Sequence, residues 1–403
     1  MPCSIWWLTA VCFAISLTAA RAAHTATVEN VQFPFAVYAV GNNKHGGLGN
    51  GVWDSGSETH TTTLEAVLIE HTVVRISSGW FHTLFTTAEG YAYASGWGDY
   101  GQRGDGVGNG CSYCDDKHIP IAVLTDHVIV DVSAGHTFSL FLTADGIVYS
   151  VGSNNAGQLG NGDSNGGLQL TPGAVLITHT IAQIDAGNYF SLFLTTNGEA
   201  YACGDNYYGQ LGGTNSVSLP VPVATSGFMT NNNVIAISAG AAHSLFITTL
   251  GTMHGCGCNT YGQLGTGSTS TYVATPVYIT SAISQVAAGH HHSLAIGTDG
   301  TAYASGSNTY GELCDGSNTD ILSLARIATL PDDSFVQVSA NEIHSLFLTA
   351  KGTVYSCGRN HNGEIGDGTR TDRNTLFAVP TERPVIQVAA GGGMSFFIYG
   401  ESL

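Results

Sequence analysis

Residues 131–162 read DVSAGHTFSLFLTADGIVYSVGSNNAGQLGNG, and this stretch decides the fold. Its first half passes through Ala134-Gly135, two variable residues and one large residue, Phe138, into a short apolar strand. In that strand Leu140-Phe141-Leu142 is apolar at every position, so both faces must be covered, as they are for a strand sandwiched between two other sheets. Asp145-Gly146 follows, a two-residue turn that recurs as Asn197-Gly198 and Asp299-Gly300, and Asx-Gly tolerates the positive φ of a tight hairpin. The second half, from Tyr149, is a strand that runs into a glycine-rich loop ending GQLGNG.

Both halves recur along the chain. First halves begin at Arg75, Asp131, Gln183, Ala236, Gln285, Gln337 and Gln387, and second halves at Tyr38, Tyr93, Tyr149, Tyr201, His254, Tyr303 and Tyr355. Seven copies at intervals of roughly 50 residues predict an all-β, seven-bladed β-propeller. The chain enters on a second half at Tyr38 and stops at Leu403 just after a first half, so one blade must draw strands from both ends. Sharing a blade closes the ring and removes the open sheet edges that invite aggregation.

A length of 403 residues alone would suggest two or three domains, and the internal repeat overrides that prior. The 53 glycines, 43% hydrophobic and 10% charged residues suit many short buried strands joined by tight turns. With 29 acidic against 11 basic residues the formal net charge is −18, which repels phosphate backbones and anionic lipid headgroups. Nucleic acid is therefore not an expected partner. Met1 to Ala22 holds no acidic residue, an apolar stretch from Ile5 to Ala20, and small residues at Ala20 and Ala22. That segment reads as a signal peptide over 1–22, cleaved after Ala22, and the expected mature product is a single propeller over 23–403, secreted and monomeric. No other segment approaches about 18 consecutive apolar residues, so no membrane association is expected of the mature form.

The pattern AGxxHSLFLTxDGxVYSxGxNxxGQLGxG resembles the repeat of the regulator-of-chromosome-condensation family from about Val31 onward. Proteins similar in these motifs include the nuclear exchange factor for the GTPase Ran, repeats in large ubiquitin ligases, and a secreted bacterial inhibitor of β-lactamase (type II). What the resemblance implies is a disc whose loops bind other proteins. It also carries an alternative, guanine nucleotide exchange on a small GTPase. Against that stand the signal segment, the lack of a basic targeting tail and the lack of a clear inserted hairpin. A third reading, an extracellular carbohydrate binder or enzyme, ranks last because no convincing acid–base pair is present.

Motifs for chemistry give way to structural readings. Gly96-Trp97-Gly98-Asp99-Tyr100-Gly101 fits GxGxxG, but no helix follows to present its amino terminus to a pyrophosphate. Gly162-Asp163-Ser164-Asn165-Gly166 fits GxSxG without the strand-to-helix bend that exposes a nucleophilic serine. His82, His243, His292 and His344 share one repeat position with Phe138, Phe190 and Met394, which marks a packing site with an imidazole hydrogen bond added. His290-His291-His292 puts three imidazoles on one turn, but no second cluster belongs with it, and no metal or cofactor is assigned. Cys203, Cys256 and Cys357 share a strand position with Val40, Val151, Ser95 and Ser305 and read as small buried residues, while Cys314 replaces a glycine of GQLG. Cys111 and Cys114 lie in the longest connection, where an oxidising compartment favours a local disulfide; with Asp115, Asp116 and His118 nearby a single CxxC remains a weak zinc signal.

Strand alternation places the Ala-Gly turns and the GxNxxGQLG loops on one rim and the Asx-Gly hairpins on the other. The first rim is expected to bind the partner through Trp80, Phe81, Trp97, Asp99, Tyr100, His136, Tyr189, Asp205, Tyr207, Tyr208, Tyr261, His290, His291 and Tyr310. Of these, the aromatic residues from Trp80 to Tyr208 are expected to form one contiguous patch. Rigid amphipathic rings anchor partners at low entropic cost, and no catalytic residue is assigned.

Overall fold

The structure, a computed structural model, describes residues 36–52, 60–108, 116–163, 166–213, 218–225, 233–327 and 333–400. All of these lie in one compact unit, Pro34–Leu403. The expected signal segment and cleavage point, and Cys111 and Cys114, lie outside the described residues. Among the described residues no helix is long and apolar enough to cross a membrane.

Seven sheets of four antiparallel strands form the ring. The blades are numbered here by their inner strands: Val73–Ser78, Ile129–Ala134, Ile181–Ala186, Val234–Ala239, Ile283–Ala288, Phe335–Ala340 and Val385–Ala390. The shared blade is present as the half-repeat register requires. In blade 7 the strand Val37–Asn42 pairs with Met394–Tyr399, with Val37 opposite Ile398, and His60–Ala66 forms the outer edge.

The second strand of each blade is buried at all six positions. Apolar clusters fill the gaps between blades: Leu84, Ala94 and Val123 of blade 1 pack with Ile129, Val132 and Phe141 of blade 2. Polar bonds tie the same gaps. Ser139 donates its one proton to the Gln102 carbonyl at 2.6 Å, so the His82 imidazole donates Nε2–H to Ser139 Oγ at 2.9 Å. His243–Ser293, His292–Ser345 and His344–Ser395 repeat the pairing at 2.9, 3.0 and 3.0 Å. The shared histidine position is thus both packed and an inter-blade hydrogen bond.

Three sequence readings change. At the hairpins only glycine takes positive φ, as at Gly146 with +82°; Asp145, Asn197 and Asp299 do not. Gly146 N–H donates to Thr143 O at 3.0 Å and Thr143 N–H to Ile147 O at 2.9 Å, which makes a turn followed by a glycine bulge rather than a two-residue loop. The Asx residue instead uses its side chain, as Asp299 does in accepting from Thr301 N–H and Oγ1–H, both at 3.0 Å. Second, Cys357 is not simply a small buried residue: it forms a disulfide with Cys314, 43 residues earlier, joining blades 5 and 6. Third, the GQLG half of each glycine-rich loop lies between blades, with Gln102, Gln158 and Leu159 fully buried, and only the preceding residues reach the rim.

Each inner strand carries a β-bulge at its second residue. In blade 1, Val73 is opposite Thr87 and Arg75 opposite Thr86, which leaves Val74 extra, and the same slip occurs in all seven blades.

Candidate functional site: an aromatic rim

The rim is built from two short segments per blade. After the inner strand the chain turns through Gly79-Trp80-Phe81 in blade 1, held by Gly79 N–H donating to His82 O at 2.9 Å. In the outer loop the buried glutamine sets the backbone: Gln102 Oε1 accepts from Tyr100 N–H, and Gln210 and Gln263 do the same for Tyr208 and Tyr261, each at 3.0 Å. Blade 5 carries Glu312 in that role, accepting from Tyr310 N–H at 2.8 Å, and burial pushes its carboxyl above the ordinary range.

Rings from three blades then touch in series. Tyr100 meets Trp97 at 5.0 Å, Trp97 meets Phe81 at 5.9 Å, and Phe81 stacks on Trp80 at 5.2 Å. Trp80 lies 3.8 Å from His136, which lies 5.3 Å from Tyr189. Room for Trp80 comes from blade 7, where the equivalent turn is Gly391-Gly392-Gly393 and a Cβ on Gly392 would run into the Trp80 backbone. Trp80 and Tyr189 are exposed, whereas Phe81, Trp97 and Tyr100 are half-buried. Asp99, also half-buried, sits beside Tyr100 in the same loop.

The other expected rim residues are on the same side but not in this series. Tyr207, 71% exposed, and Tyr208 pair with each other at 4.9 Å, and among the described residues no ring contact ties them to Tyr189. Asp205 is turned inward, accepting from Gln210 Nε2 at 2.9 Å and Tyr207 N–H at 3.2 Å, so its carboxylate shapes its own loop. Tyr261, His291 and His290 form a separate group, at 4.8 Å and 4.1 Å. Tyr310 packs at 5.7 Å from His361, with Arg359 over its ring. One member was not anticipated: His45, 5.0 Å from Phe81 and 5.4 Å from Trp97, with Nδ1 2.8 Å from Asp116. His45 occupies the loop position of Tyr100, Tyr208, Tyr261 and Tyr310, so the repeat register held the signal.

The rim opens on a central cavity of about 580 Å³ lined by the inner strands, with Arg75, Asp131, Gln183 and Asp185 on its wall and Trp80, His136 and His290 at its mouth. Burial holds His136 down to about 4, helped by His290, and His291 to about 4. These imidazoles are therefore neutral near pH 7 and stand in the rim as uncharged rings in contact with Trp80, Tyr189 and Tyr261. Asp185 is pushed up to about 6 by burial while accepting from Ser133 Oγ at 3.1 Å and Ala239 N–H at 2.8 Å. Among the described residues no three His, Cys, Asp or Glu side chains come together as a metal would need. The geometry offers a surface of contacting aromatic rings beside the uncharged imidazoles of His136 and His291.

A profile of the RCC1-like domain family matches residues 36–397. The chain is 29% identical over 340 residues to the ultraviolet-B receptor UVR8 of Arabidopsis thaliana, covering 83% of this chain and 75% of that protein. It is 29% identical over 270 residues to the human regulator of chromosome condensation, 62% of either chain. Against the human E3 ubiquitin-protein ligase HERC2 the identity is 29% over 362 residues, 88% of this chain and 6% of that protein. Human WBSCR16 is similar in structure with a TM-score of 0.80 at 21% identity, over 92% of this chain and 100% of that one. Yeast RCC1 (Prp20), solved bound to Kap60, has a TM-score of 0.81 at 20% identity, over 96% of each chain. At such identities the solved structures speak for the fold alone. With a match running from residue 36 to residue 397, this chain belongs to the RCC1-like domain family.

Proposed function

We propose that the protein is a secreted, non-catalytic propeller that binds a protein partner through the aromatic rim. The observation that carries this reading is the unbroken ring series from Tyr100 through Trp97, Phe81, Trp80 and His136 to Tyr189. Tryptophan and tyrosine at the centre of a surface are the side chains that most often dominate protein interfaces. Protein binding is also described for similar propellers, Prp20 with Kap60 and Prp20p with Gsp1p and histones. The Cys314–Cys357 disulfide supports export, since such bonds persist in oxidising compartments.

Capture from the organism's own secreted fraction tests the reading, with the chain as bait beside a Trp80→Ala, Tyr189→Ala bait. A partner retained by the first and lost from the second is expected; equal capture by both removes the aromatic rim from consideration. The similarity to the regulator of chromosome condensation favours nucleotide exchange as the second reading. Accelerated release of labelled guanine nucleotide from a small GTPase would promote it, and Met1 retained in a cytosolic fraction would count against export.

A further inference from the structure

The bulged residues form a second feature, on the opposite rim. They are Val74, Val130, Ala182, Ile235, Ser284, Val336 and Ile386, one per blade at the same register. Five of the seven are valine or isoleucine; Val130 is half-buried, and exposure of the other four runs from 41% for Val74 to 51% for Val336 and 52% for Ile235 and Ile386. Ala182 and Ile235 line the central cavity, and the shared register puts the other five at the equivalent place on their own inner strands. This opening is on the hairpin side, because the residue just before Val73 receives a bond from the hairpin: Ala88 N–H donates to Thr72 O at 2.8 Å. A collar of aliphatic side chains held in water by bulges costs solvation in most blades without contributing to the packing between them.

The charge around this collar is uneven. In blades 1 to 3 the hairpins and inter-blade connections carry Glu70, Glu89, Asp126, Asp145 and Glu199 and no lysine or arginine, while on the inner strand Arg75, next to Val74, has Asp131 as its neighbour. Burial pushes the Tyr93 hydroxyl above its ordinary range, and Glu89 and Glu70 lie close enough to add to that rise. We propose that the hairpin rim is a second docking surface, for a cationic partner segment whose apolar side chain seats on the collar while its lysines or arginines face the carboxylates of blades 1 to 3. The collar supplies burial and the carboxylates supply orientation and attraction at long range. A protein segment fits both features, whereas an anionic lipid surface would be repelled. This surface is separate from the aromatic rim and does not depend on that rim's function.

Calorimetric titration of the full chain with a short synthetic peptide of alternating lysine and leucine tests it. Lysine–serine and glutamate–leucine peptides supply charge without apolar surface and apolar surface without positive charge. The lysine–leucine peptide is expected to bind about tenfold more tightly than either. Ile235→Asn combined with Ile386→Asn is expected to weaken it by about tenfold at an unchanged melting temperature, since both side chains are exposed. Glu89→Lys with Asp145→Lys is expected to weaken it and flatten its salt dependence, and Trp80→Ala to leave it unaltered. Should the double asparagine variant fold poorly, Val336→Ser alone is expected to weaken binding in the same direction. The proposal is overturned if the lysine–leucine peptide does not bind, if lysine–serine binds as well, if the collar variants bind like the parent, or if Trp80→Ala abolishes binding.

Discussion

Trp97 shows what a rim position does for the protein that carries it. Its ring touches Phe81, Tyr100 and His45, and its indole N–H is buried with no hydrogen-bond partner among the described residues. Sequence variation at this loop position, where Ser153 and Asp205 stand in other blades, argues for a residue that can be changed without harm to folding. The contacts argue otherwise: three ring contacts around one half-buried side chain are packing. Trp97→Ala is therefore expected to lower unfolding free energy by about 2 kcal/mol in urea titration, whereas Tyr207→Ala, on an exposed tip, is expected to change it by less than about 0.5 kcal/mol. Equal effects of the two would mean that Trp97 is a surface residue after all. For the same reason Trp80 and Tyr189, exposed and in the series, are better probes of binding than Trp97.

At the level of elements, the disulfide shows how blades are joined. Cys314 takes the place of the last glycine of GQLG and keeps its backbone, at φ +57° against +62°, +72° and +71° for Gly160, Gly212 and Gly265. Every side chain but glycine is strained there by roughly 1–2 kcal/mol, and the bond to Cys357 offsets that strain by closing a long loop in the unfolded chain. The informative comparison therefore sets glycine against alanine at this position. Cys357→Ser with Cys314→Gly is expected to be about 1 kcal/mol more stable than Cys357→Ser with Cys314→Ala, and both to be about 2–4 kcal/mol less stable than the oxidised parent. Melting temperatures under oxidising conditions decide this. Neither the disulfide nor the His–Ser pairs could be read from the repeat, because a repeat aligns each blade with itself and is silent on what it meets next door. Gly160 beside Cys203 and Cys314 bonded to Cys357 are the same inter-blade neighbourhood, visible only once the blades are stacked.

For the whole molecule, what the sequence made legible was whatever has a period. Seven paired halves, the blade shared between Val37–Asn42 and Met394–Tyr399, and the side on which each turn emerges all follow from chain order. The continuity of the aromatic series does not, since it depends on which neighbouring loops lean together, and Tyr207 and Tyr208 fell outside it. Stacking the blades also sets the acid response. Burial holds His82, His243 and His292 down to about 3, and His344, His136 and His291 to about 4, against an ordinary value of 6.5. Between those values the unfolded chain binds more protons at these sites, so the stability they confer is whole above pH 6.5 and is lost as pH falls toward 4. Asp131 and Asp185, pushed up to about 6, and Glu364, to about 7, act in the opposite sense, since the folded state holds their protons and loses stability as pH rises through those values. Six imidazoles outweigh three carboxyls, so melting temperature is expected to fall as pH drops from 6.5 to 4; a flat or rising profile would mean the histidines are solvated.

The measurement that bears most directly on function is the affinity of the captured partner for Trp80→Ala and Tyr189→Ala chains, with Asp145→Ala and Asp299→Ala as variants of the opposite rim. Loss of about 2 kcal/mol from either aromatic change, with the aspartate changes silent and melting temperatures preserved, is the predicted result. Binding that survives both aromatic changes and fails on the aspartate changes would contradict it.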